Sequence, residues 1–103
     1  MTEGLPIELS ELADRQIREG DAWWQENRSK APDAIQEELS RVAALIAFRP
    51  GVGARATNVS LPGVRRLHIE RIHYDLYYRV VGAVEYIQIV AFWDSRRGTG
   101  PPI

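Results

Sequence analysis

Apolar residues recur along this chain with two periods, near 3.6 in the first half and near 2 in the second. Leu9, Ala13, Ile17, Gly20 and Trp24 follow at spacings of three and four, which marks one face of a helix over about 11–27. Ser10 precedes that run as an N-cap, although Ala13 stands where a capping box would need Glu or Gln. Gly20 costs such a helix about 1 kcal/mol against Ala, so it is read as a point where a second helix comes close. That second helix takes Pro32 as its first residue. Acid at Asp33, Glu37 and Glu38 near its start suits the helix dipole. Its buried face is Ile35, Leu39, Val42 and Ile46, with Ala43 beside them. It ends near Phe48, because Arg49 precedes Pro50 and Gly51 follows. The short connection makes the two helices an antiparallel hairpin.

Strand-like runs stand on either side. Ile7 to Leu9 form a short first strand behind Pro6. The stretch 50–63 carries three Gly and two Pro and reads as a loop. Three strands follow, over about 64–71, 74–81 and 84–93, with Gly82-Ala83 as the turn between the last two. In the middle strand Leu76, Tyr78 and Val80 share one face while Tyr77, Arg79 and Val81 take the other. In the last strand Ile87, Ile89 and Ala91 alternate with Gln88, Val90 and Phe92. Both of its faces are largely apolar, which places it inside the sheet rather than at an edge. The fold class is α+β: a short N-terminal strand, a helical hairpin packed on one side of the sheet, then a three-stranded antiparallel meander.

Composition narrows the setting. At 103 residues the chain is expected to form a single domain, 1–103. It has no cysteine, hence no disulfide chemistry. It has no apolar run long enough to span a membrane and no secretory signal in MTEGLPIELS, so the cytoplasm is the expected location. A net charge of −1 hides a split: residues 1–48 sum to −5 and residues 49–103 to +4. All but one of the thirteen cations are Arg, whose planar fork suits carboxylate and phosphate.

Little in the chain points to a reaction centre. His68 and His73 are five apart, which on a strand puts them on opposite faces, so no metal site is expected. No Ser–His–Asp order or phosphate-binding loop is legible, and no cofactor is implied. Cleavage of an RNA phosphodiester would need a base, an acid and several cations. Arg65, Arg66 and Arg79 lie on the sheet and Asp94 is a candidate base, but no neutral-pH acid is evident near it; His68 and Tyr77 are the conceivable substitutes. The competing expectation is that Arg65 and Arg79 pair with Glu70, Asp75 or Glu85 across the strands.

The order of these pieces, together with the Tyr77-Tyr78-Arg79-Val80 run and the Phe92-Trp93-Asp94-Ser95-Arg96-Arg97-Gly98 run, resembles the RelE/ParE superfamily of bacterial toxins. Within it the chain looks most like the ParE branch, over about Ile7 to Pro101. RelE-branch toxins cut mRNA on the ribosome, with a Tyr or His just after the last strand. Here Trp93-Asp94-Ser95 stands in that place, a departure that puts the activity in doubt. The ParE branch lacks that catalytic set, so the resemblance implies no catalytic residues. It implies inhibition of DNA gyrase and a ParD-like antitoxin with a ribbon-helix-helix head, DNA being met only through those two partners. The alternatives are an mRNA interferase and a degenerate toxin kept as a binding module. Adjacent Trp23 and Trp24 cannot both face the core, and Tyr77 and Arg79 share a sheet face. These four are the expected antitoxin contacts. Arg65, Arg79, Trp93, Arg96 and Arg97 are the expected target contacts.

Overall fold

A computed structural model describes residues 3–103; residues 1 and 2, which the sequence reading counts in the domain and in the N-terminal stretch, lie outside it. The elements in chain order are β1 (Ile7–Leu9), α1 (Glu11–Asn27), α2 (Ala34–Phe48), β2 (Ala54–Arg55), β3 (Arg65–Ile69), β4 (Tyr74–Val81) and β5 (Tyr86–Asp94). The strands form one mixed sheet in the order β1-β5-β4-β3-β2. The antiparallel β3-β4-β5 meander is as expected, and β5 is interior, flanked by β1 and β4. Two features differ from expectation. β1 runs parallel to β5, so the sheet as a whole is mixed. A two-residue strand, β2, forms within the expected loop and pairs with β3; two residues carry no readable periodicity.

Ser10 caps α1: its hydroxyl accepts from the Ala13 N–H at 3.0 Å, and its own N–H donates to Ile89 O of β5. The helix buries Ala13, Gly20 and Trp24, with Ile17 partly covered. Leu9, expected on that face, ends β1 and is 46% exposed. Gly20 does meet a close neighbour, but that neighbour is the sheet and not α2. A Cβ there would lie 3.2 Å from the Tyr74 hydroxyl and 3.3 Å from Phe92 Cε2. Pro32 stands two residues before α2, in the turn joining the helices, and Asp33 takes the N-cap position. The Trp24 indole N–H pins that turn by donating to Ala31 O at 2.9 Å. α2 buries Ala34, Ile35, Val42 and Ile46.

β3 stops at Ile69, short of 71, because a turn follows in which His73 adopts a left-handed φ of 56°. The β4–β5 turn occupies 82–85 rather than two residues, and Gly82 supplies its φ of 88°. A bulge decides the side-chain faces of β5. Tyr77 pairs with Ala91 but Tyr78 pairs with Ile89, which leaves Val90 without an opposite residue. Val90 and Ala91 therefore both join Tyr77 on the outer face, and Phe92 turns back toward the helices. Alternation, the sequence expectation, continues past the bulge with the two faces exchanged. The result is two apolar clusters. The larger lies between helices and sheet, around Ile35, Ile46, Leu76, Tyr78, Ile87 and Phe92. The smaller lies on the outer face, where Val59, Leu61 and Ile103 cover Val64 and Tyr77.

Candidate functional site

α1 crosses the end of β5 and leaves a cleft of about 460 Å³ beside it. Gln16 holds the crossing by accepting from the Phe92 N–H at 2.8 Å. The floor is open because Gly20 carries no side chain. Tyr74 and Phe92 form the back wall, stacked with ring centroids 4.2 Å apart and planes within 7°. Trp23 borders the cleft from α1 and Trp93 from β5. Arg15, Arg96 and Arg97 stand at its rim with Glu19 and Asp94.

The segment after β5 is ordered by its own contacts. Asp94 binds Arg96 through both carboxylate oxygens, at 3.0 Å to Nε and 2.9 Å to Nη2, and also accepts the Arg96 N–H. The Arg96 hydrogen bond holds the Asp94 carboxyl below the usual carboxylate range. The Trp93 indole donates to Thr99 O at 2.6 Å. The Arg97 guanidinium sits 4.3 Å from the Trp93 ring centre, a cation–π contact. Burial raises the Tyr74 hydroxyl's proton affinity, and the Asp94 charge adds to it.

Four of the expected contact residues thus converge on one cleft: Trp23, Trp93, Arg96 and Arg97. Trp23 is 43% exposed, with Arg28 above its ring at 5.2 Å. The others lie elsewhere. Trp24 is 7% exposed and bonded to its own chain, because the helical phase that shows Trp23 to solvent turns Trp24 inward. Tyr77 is 1% exposed under the outer-face cover, and Asn58 Nδ2 donates to its hydroxyl at 3.0 Å. As folded, neither offers a surface to a partner. Arg65 lies at the far end of β3, opposite Tyr78, and donates to Gly53 O at 2.7 Å. Arg79 donates to Gln88 Oε1 across the β4–β5 pair.

The expected ion pairs with sheet arginines do not form. Asp75 and Glu70 instead hold His68, each at 2.8 Å from a ring nitrogen. The Asp75 hydrogen bond, with lesser help from Glu70, raises the His68 pKa above its ordinary value. Arg65 shares the face of Tyr78, whereas Arg66 pairs with Tyr77 on the other face, so the sheet cations do not surround one point. Among the described residues no group of three or more His, Cys, Asp or Glu could hold a metal ion. Among the same residues no helix is long and apolar enough to cross a membrane.

Sequence reasoning missed Tyr74, Phe92 and Arg15 as cleft residues. The Gly20 signal was legible, but its partner depended on where α1 crosses the sheet.

No curated protein matches the sequence. A solved structure described as the chromosomal ParDE TA system from P. aeruginosa is similar over 87% of this chain and 95% of its own, with a TM-score of 0.68 and 23% identity, a likeness of fold. The family model described as "ParE toxin of type II toxin-antitoxin system, parDE" matches residues 7–98. That match spans every strand and both helices described above, and so this chain belongs to the ParE toxin family of type II toxin–antitoxin systems.

Proposed function

We propose that this toxin acts in the cytoplasm as one domain, inhibits DNA gyrase, and is silenced by a ParD-like antitoxin of ribbon-helix-helix type. The observation that carries the reading is the family match over residues 7–98. The cleft supplies its physical side. An exposed Trp23, an aromatic wall and three rim arginines form a surface suited to a peptide carrying both apolar and acidic side chains. Such a segment orders itself on binding, and its acids meet the arginines around the cleft. Target contact through Trp93, Arg96 and Arg97 at the same cleft would explain neutralisation as simple occlusion.

The second reading, mRNA cleavage, is favoured by one group: the Asp75 hydrogen bond raises the His68 pKa above its ordinary value, and the ring is partly accessible. Against it, Asp94 is engaged by Arg96, and Arg65 faces away from Arg66 and Arg79, so no acid, base and cation set converges. The test is a supercoiling assay with purified gyrase, run beside primer extension on translated mRNA. Gyrase inhibition relieved by the antitoxin is expected, and Trp23→Ala should weaken antitoxin binding by at least about 30-fold, as an exposed aromatic anchor does. Transcript cleavage with unimpaired supercoiling would overturn the proposal.

A further inference from the structure

The family match stops at residue 98, and the stretch that follows, 99–103, is tied to the rest of the chain at both ends. At one end Thr99 O accepts the Trp93 indole N–H. At the other, Ile103 O accepts the Ser60 N–H at 2.9 Å, and the Ile103 side chain packs into the outer-face cluster. Pro101 between them is buried. Gly100 makes the closest approach of any glycine in the chain. A Cβ there would lie 2.5 Å from Asn58 O and 2.8 Å from Asn58 Nδ2. The first of these is a backbone atom and cannot swing aside. The second is held in place by its bond to the Tyr77 hydroxyl. The strap therefore seats against Asn58 only because residue 100 has no side chain.

What the strap holds is the rim of the cleft. The indole of Trp93 has a single N–H to give, and Thr99 O receives it, which fixes the ring's orientation. Arg97 lies on that ring, 4.3 Å from its centre. Among the described residues the Arg97 side chain joins no ion pair, so the ring face is what steadies it. Arg96 differs, since Asp94 grips it through both carboxylate oxygens without any help from the strap. We infer that Gly100 is a positioning residue for target binding: it lets the strap seat against Asn58, which places the Thr99 carbonyl, then the Trp93 ring, then the Arg97 guanidinium. A rim held in advance pays less ordering entropy when a partner arrives. The inference rests on the proposed target contact through Trp93 and Arg97, and it adds a residue outside the cleft that acts through them.

The experiment compares the full chain with its Gly100→Ala variant in two readouts: inhibition of supercoiling by purified gyrase, and hydrogen exchange of the Trp93 indole N–H followed by NMR. Gly100→Ala should raise the half-inhibitory concentration at least about tenfold, the scale of losing one anchor. It should also speed the indole exchange at least about tenfold. Gly98→Ala is the control, since a Cβ there meets nothing within 4 Å, and it should leave both readouts within about twofold of wild type. Trp93→Phe keeps a ring but removes the N–H that the strap holds. Adding Gly100→Ala to it should therefore weaken inhibition by less than about twofold more, because both changes break one link. Should the 57–60 loop yield to the new methyl, Ile103→Glu frees the strap from its other end and should repeat the loss. Unchanged exchange in both strap variants would overturn the inference. So would faster exchange with undiminished inhibition, or a full tenfold loss on top of Trp93→Phe, which would mark the strap as support for the fold alone. A wild type that leaves gyrase untouched is instead the failure of the gyrase reading; the strap's hold on Trp93 is then decided by exchange, faster in Gly100→Ala supporting it and equal overturning it.

Discussion

The hydroxyl of Tyr78 joins the sheet to the segment that carries β2. It donates to Pro50 O at 2.7 Å and accepts the Gly53 N–H at 2.9 Å, while the residue as a whole is fully buried. Tyr78→Phe keeps the ring in the core and removes only the oxygen. The Pro50 carbonyl is half-buried and can turn to water, so its loss costs about 1 kcal/mol. Gly53 is buried, and its N–H is left without a partner at about 1–3 kcal/mol. The sum is about 2–4 kcal/mol, a fall in melting midpoint of at least about 8 °C for a chain of this size. Tyr77→Phe is the control. Its hydroxyl partner, Asn58, is exposed and can be rehydrated, so the cost should stay near about 0.5–1 kcal/mol. Urea unfolding at 25 °C measures both, and the slope with denaturant should not change, since the surface exposed on unfolding is the same. Amide exchange at 53–55 should rise in Tyr78→Phe alone. A loss under about 1 kcal/mol, or one matching Tyr77→Phe, would refute the claim that this hydroxyl anchors β2.

Three further outcomes are expected. Gly20→Leu should cost about 1–3 kcal/mol despite the better helix propensity of Leu, because Tyr74 and Phe92 leave no room, and it should also obstruct the cleft; calorimetry with an antitoxin titration reads both. Trp24→Phe should cost about 1–2 kcal/mol by freeing the Ala31 carbonyl and shrinking the buried ring, seen as a lower urea midpoint. His68 has a raised folded-state pKa, so its stabilisation is complete below the unfolded value of about 6.5 and fades as pH rises through the folded value. Urea midpoints of the wild type should therefore fall across that window, and His68→Gln should flatten the change. The depressed carboxyls Asp14, Glu38 and Asp94 titrate well below it.

The sequence alone determined the elements that rest on local chemistry. The period of 3.6 and the Ser10 cap set α1, Arg49-Pro50-Gly51 closed α2, and the two-faced apolar run of β5 placed it inside the sheet. It also settled that adjacent Trp23 and Trp24 must differ in exposure. Tertiary structure decided whatever depends on which distant residues meet. The bulge at Val90 reverses the side-chain phase of β5, and it exists only because β4 pairs there in that register. Gly20 meets Tyr74 and Phe92, since α1 crosses the sheet more closely there than α2. Pairing with β3 turned a two-residue stretch of loop into β2 and set Arg55 against Arg65. Periodicity reports how each segment divides water from core, and carries no record of which partner lies across the gap. Register and crossing point are settled by long-range pairing and packing, and those decisions put the cleft where it is.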